Sequence, residues 1–180
     1  MLEKGLAALL VVDVQDKLAP KKQEAWDGMV ANIAKLIEAA HVLHIPVLVT
    51  EQYPEKLGAT TQILCDVLGD TPRMGKVCFS CFGLPEFSAA LKATGRSHLI
   101  ITGMETRVCV MQTALDAIDR GLKVFVPTDA VTAQDKVQHK AGLRRMEQNG
   151  AQLVTTQMAL FELLRAAGTP EFKSLMPLLK

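Results

Sequence analysis

Little is in excess in this sequence, and its shortages narrow the reading first. Four cysteines over 180 residues are too few for a disulfide framework and suit a reducing, cytoplasmic setting. Neither charge dominates: 20 Lys and Arg against 19 Asp and Glu leave a net +1, so nothing points to a nucleic-acid or acidic partner. No long apolar run is present. The apolar start, Leu6–Val12, is too short to cross a membrane and is not followed by a small-residue cleavage site. Repeats, linkers and low-complexity segments are also missing. A hydrophobic content of 49% then implies one globular domain, residues 1–180, with a substantial core.

What is present is an alternation of strand-like and helix-like segments. Leu6–Val12 reads as a central strand, followed by a long helical stripe through Trp26, Ile33, Ile37 and Ala40. Further strands are expected at Val47–Thr50, Lys76–Phe79, Leu99–Ile101, Leu122–Val126 and Gln152–Val154. Helices fall between them. This pattern predicts an α/β fold, a Rossmann-like three-layer α/β/α sandwich. About six mostly parallel strands are expected in the order 3-2-1-4-5-6, with ligands at the carboxyl edge where the order reverses between strands 1 and 4.

Three residues fall at that edge. Asp13 directly follows the first strand, and Lys76 opens the third. Cys109 lies where the strand Leu99–Ile101 gives way to a helix ended by Gly121, with Thr106 as the expected N-cap. A helix start favours an anion, which pushes a thiol towards thiolate, so Cys109 is a nucleophile candidate; a buried small hydrophobe is the alternative. Other motifs carry less. Cys78 and Cys81 are spaced C-x-x-C but lie neither at an expected helix start nor beside two more zinc ligands. His41 and His44 lack a third ligand and are expected at the surface. Gly69–Lys76 has five residues between its glycines where a phosphate-binding loop needs four.

With Asp13, Lys76 and Cys109 in place, the chain resembles the isochorismatase-like cysteine hydrolases, a family that includes nicotinamidases and N-carbamoylsarcosine amidohydrolases. The resemblance rests on VVDVQ at 11–15, TEQYPEKLG at 50–58, K-x-x-F-S-x-F at 76–82, TGMETRVCVMQTALD at 102–116 and GAQLVTT at 150–156. The second and fourth of these are most similar to the small isochorismatase-domain subgroup. The resemblance implies a catalytic triad of Asp13, Lys76 and Cys109. It also implies an oxyanion hole from the backbone N–H groups of Glu105 and Cys109, with a cis peptide between Met104 and Glu105.

Many nicotinamidases carry an Asp-x-His metal motif after the second strand, where this chain has Glu51-Gln52-Tyr53. Neither a metal nor another cofactor is therefore expected. Isochorismate-cleaving members often lack the cysteine, so Cys109 favours cleavage of a C–N bond in a small amide-like substrate through an acyl-thioester. A thiol-reactive or scaffold protein with little turnover, and a hydrolase of an isochorismate-like ether, are the alternatives. Gln15, Tyr53, Phe82 and Arg107 are the candidate pocket-lining residues. The family resemblance points to a homo-oligomer with a small-molecule substrate and no membrane or nucleic-acid partner.

Overall fold

The computed structural model describes residues 1–179; Lys180, the end of the expected C-terminal tail, lies outside them. Six parallel strands form one sheet: β1 (Ala7–Val12), β2 (Val47–Gln52), β3 (Arg73–Lys76), β4 (His98–Gly103), β5 (Lys123–Pro127) and β6 (Gln152–Val154). Their order is 3-2-1-4-5-6. The helices, in chain order, are α1 (Gln23–Val42), α2 (Pro54–Leu57), α3 (Gln62–Leu68), α4 (Pro85–Ala93), α5 (Met111–Asp119), α6 (Lys136–Gln148), α7 (Thr156–Leu164) and α8 (Pro170–Leu175).

β1 shows why the sandwich has two cores. Side chains alternate across a strand, and every residue of this one is apolar and buried. Ala7, Leu9 and Val11 face a core shared with α1, α3, α7 and α8 through Trp26, Ile33, Leu64, Leu160 and Leu175. Ala8, Leu10 and Val12 face the opposite core, built with α4, α5 and α6 through Phe87, Leu91, Ala114 and Met146. Each fully buried Leu or Phe contributes about 1.5–3 kcal/mol, so these two layers hold the sheet and leave its carboxyl edge free for polar groups.

Several strand boundaries differ from the sequence expectation, and two of them bear on the carboxyl edge. β2 runs on through Glu51 and Gln52. β3 ends at Lys76 instead of starting there, because the carbonyls of Cys78 and Phe79 turn back onto the Lys76 ammonium, at 3.1 Å each. A carbonyl used in that way is lost to a strand ladder.

Candidate active site

The site lies where β1 and β4 part. Asp13, the first residue past β1, has φ 51, a left-handed conformation that Asp adopts more readily than most residues. Its N–H donates to the Thr50 carbonyl and its own carbonyl accepts from the Gln15 N–H, both at 3.0 Å. The carboxylate is fully buried. Oδ2 accepts from Lys76 Nζ at 2.7 Å, and Oδ1 accepts from the Thr50 hydroxyl at 2.8 Å. Lys76 is buried as well, and its ammonium also donates to Gln52 Oε1 at 2.7 Å. Burying either ion alone would cost several kcal/mol; here each is paired and hydrogen-bonded.

Cys109 reaches the same crevice from β4. At Gly103, φ is 105 and an added Cβ would overlap the Val12 carbonyl oxygen, so only glycine lets the two strand ends touch there. Met104 N–H donates to that carbonyl at 2.9 Å, and the Met104–Glu105 peptide is cis. A π-helical turn, Thr106–Val110, then precedes α5, with Val110 N–H donating to the Glu105 carbonyl at 3.2 Å. Thr106 is not the N-cap expected from the sequence. Glu105 holds that position, and the Thr106 hydroxyl pairs with His139 Nδ1 of α6 at 3.0 Å. The Cys109 sulfur donates to Gln52 Oε1 at 3.8 Å, the same oxygen that accepts from the Lys76 ammonium, so it stands beside the Asp13–Lys76 pair.

Helix α6 clamps this turn. A Cβ on Gly142 would come within 2.8 Å of the Thr106 carbonyl oxygen. Gly→Ala inside a helix is usually favourable by up to about 1 kcal/mol. Gly142→Ala should instead lower stability by about 1–3 kcal/mol through overpacking. Urea unfolding measures it, and a stabilised variant would show that α6 does not press on the turn.

Electrostatics correct one expectation. Burial, then the neighbouring Asp13 charge, push the Cys109 thiol up to about 12; Lys76 and the Glu105 N–H oppose this less strongly. Burial and the Asp13 charge favour the thiol over the thiolate expected from the helix start. Burial also raises the Asp13 carboxyl above its ordinary value, with Lys76 and Thr50 pulling it back. Lys76 is lowered by burial, but the charge and hydrogen bond of Asp13 outweigh this and its proton is held more tightly than usual. A thiol beside a carboxylate of raised proton affinity is an arrangement in which a proton can pass between the two.

The pocket candidates separate. Gln15 is fully buried and serves the main chain: its amide donates to the carbonyls of Gln52 (3.0 Å) and Gly58 (2.6 Å) and accepts from the Gln52 N–H (2.7 Å). Gln15→Ala should therefore cost about 2–3 kcal/mol, since it strands buried polar groups. Chemical denaturation tests this, and a stability unchanged from the parent would return Gln15 to the pocket. Phe82 is not brought into the crevice; it packs edge-on against Phe87 at 5.2 Å with Arg120 over its other side at 4.6 Å. Tyr53 stands exposed at the rim, its N–H on the Lys76 carbonyl at 2.7 Å. Arg107 is half-exposed within the turn and pairs with Glu105 at 3.2 Å.

Motif reading passes over Gln52 and Thr50. Both project from the same face of β2, two residues apart, and that spacing is the available signal. The segment does not fit a cation. Glu51 Oε1 accepts from the Thr60 N–H and hydroxyl, both at 2.7 Å, and Gln52 Oε1 already faces an ammonium. Among the described residues no group of three or more His, Cys, Asp or Glu is arranged to hold a metal ion. His41 and His44 are exposed.

Known proteins share this arrangement of sequence. The Isochorismatase domain family matches residues 7–158. The chain is 37% identical to mouse isochorismatase domain-containing protein 2A over 175 residues, covering 96% of this chain and 82% of that one. The structure of the Caenorhabditis elegans MAR1 ribonuclease superimposes with a TM-score of 0.92 at 35% identity, covering 99% and 91% of the two chains. The Escherichia coli YcaC gene product, an octameric hydrolase of unknown specificity, superimposes with a TM-score of 0.84 at 30% identity over 98% and 94%. A match over most of the chain, on a fold with this sheet order, makes the protein a member of the isochorismatase family of hydrolases.

Proposed function

We propose that residues 1–180 form a single, metal-independent cysteine hydrolase domain that cleaves a C–N bond of a small amide-like molecule through an acyl-thioester on Cys109. The observation that carries this reading is the Cys109 thiol on Gln52 Oε1 at 3.8 Å, the oxygen that also accepts from Lys76 of the buried Asp13–Lys76 ion pair. In the first half-reaction the thiol proton passes to Asp13 as sulfur bonds to the substrate carbonyl carbon. The carbonyl oxygen becomes an oxyanion, and the N–H groups of Glu105 and Cys109 hold it. Collapse breaks the C–N bond, and the amine leaves with the proton from Asp13. Water then gives its proton to Asp13 and attacks the thioester, releasing the acid and restoring the thiol. Lys76 stays protonated throughout and keeps the carboxylate from dominating the site.

Support for the remaining assignments is indirect. The octameric YcaC favours a homo-oligomer here, and Tyr53, Val77 and Phe79, all exposed around Lys76, offer apolar contact surface. Unpaired cysteines suit a cytoplasmic setting, and no helix among the described residues is long and apolar enough to cross a membrane. The test is a panel of small primary amides, carbamoyl compounds and isochorismate-like ethers, with ammonia and product detection, run beside a single-stranded RNA. Ammonia release from an amide supports the reading. Turnover confined to RNA or ethers, or labelling of Cys109 without turnover of anything, sinks it.

A further inference from the structure

We propose that Thr50, Cys81 and Thr113 form a buried hydrogen-bond relay that positions Asp13 and sets its affinity for a proton. The proposal rests on the reading of Asp13 as the base for Cys109. All three side chains are fully buried. An ionised carboxylate can only accept, so the single Thr50 hydroxyl proton points to Asp13 Oδ1, at 2.8 Å. The Thr50 oxygen keeps free lone pairs, and the Cys81 sulfur lies 3.6 Å away. With the threonine proton committed to Asp13, Cys81 S–H is the donor of that contact. Burial and the Asp13 charge keep this thiol protonated, raising it to about 11.

Cys81 is anchored on its other side, where its backbone N–H donates to Thr113 Oγ1 at 3.0 Å. Thr113 stands four residues after Cys109, about one helical turn further on. The relay therefore returns to the helix that carries the nucleophile. Its two ends meet at the proton-transfer pair: Thr50 grips the Asp13 carboxylate by Oδ1 and its backbone by the Asp13 N–H, and Thr113 fixes Cys81 against α5. Lys76 holds the other carboxylate oxygen, so the carboxyl plane has no freedom to turn from Cys109. Cys81, one half of the C-x-x-C spacing, thus acts as a hydrogen-bond donor, a use that needs neither a redox partner nor a metal. These are positioning residues, since none of them touches the reacting sulfur.

The experiment is a pH titration of the intact chain, ¹³C-labelled at Asp and Cys, followed by NMR, with Asp13→Asn assigning the Asp13 carboxyl signal. Removing a donor from a carboxylate disfavours its charged form. Thr50→Val should raise the Asp13 midpoint by about one pH unit, the shift that one hydrogen bond to a charged group supports. Cys81→Ala should raise it by less, and Thr50→Ser should restore it. A Thr50→Val midpoint equal to the parent's overturns the relay. If that variant does not fold, an unmoved midpoint in Cys81→Ala overturns it instead. The underlying reading is checked in the parent by the Cys109 ¹³Cβ signal, which must inflect at the Asp13 midpoint. Without that inflection the base assignment fails, whatever the Thr50 variants show.

Discussion

If the proposed acyl-thioester forms on Cys109, Cys109→Ala should lower kcat/KM on an amide substrate by at least about 10³-fold, because the nucleophilic sulfur is gone. The proposed oxyanion donors, the N–H groups of Glu105 and residue 109, stay in place in that variant. They are worth about 2.7–4 kcal/mol each, so trace hydrolysis by bound water can persist. The fold should survive, since the change removes one small atom from a side chain that is 6% exposed. Circular dichroism and the urea midpoint establish that survival beside the rate measurement. A folded Cys109→Ala protein retaining most of its activity would overturn the thioester mechanism. Retained activity on an isochorismate-like ether would point to direct hydrolysis, which needs no sulfur.

Lys76→Met should act on stability as strongly as Cys109→Ala acts on rate. Both members of the Asp13–Lys76 pair have fully buried side chains, so methionine leaves an uncompensated carboxylate in the interior. Breaking such a pair costs about 3–5 kcal/mol. It also frees Gln52 and the carbonyls of Cys78 and Phe79, which hold the loop after β3. Adding Asp13→Asn should recover part of the loss, because the stranded charge is then gone. The pH dependence has a definite sign. Lys76 holds its proton more tightly in the fold than its ordinary value of 10.5, so the native state binds more protons than the unfolded one in that range. Its contribution is complete below pH 10.5 and disappears as pH rises through the raised value. Urea unfolding from about pH 8 to about pH 12 should show this alkaline loss in the parent and not in Lys76→Met. A single variant within about 1 kcal/mol of the parent would show that the pair is not a buried ion pair in solution.

The sheet order was legible because two signals agreed. β1 reads as apolar on both faces, and strand-like runs alternate with helical stripes of the right length. The same reasoning carried Asp13, Lys76 and Cys109, distant in sequence, to one edge, where the structure places them together. What escaped was set by assembled surroundings. The protonation of Cys109 depends on burial and on a carboxylate 96 positions away in sequence, and the helix-start argument weighs neither. Thr50 and Gln52 are neutral residues of a strand, and nothing in their type announces the ions they meet. Phe82 sits inside a motif and still packs on Phe87 and Arg120, which offer its ring better partners than the polar crevice.

The left-handed backbone at Asp13 has a consequence for how such a protein changes over time. At φ 51 most side chains are strained, whereas Asp, Asn and Gly are tolerated. Conformation and chemistry therefore filter this position separately. Of the residues that pass the first filter, only aspartate supplies a base. Asparagine is nearly isosteric with it and keeps one acceptor oxygen for Lys76, while its NH2 can donate to the Thr50 hydroxyl oxygen. Under the proposed mechanism a silent descendant needs more than Asp13→Asn, because that change alone leaves the buried Lys76 ammonium without a counter-charge; a second change at Lys76 must accompany it, and the two positions have to be read together.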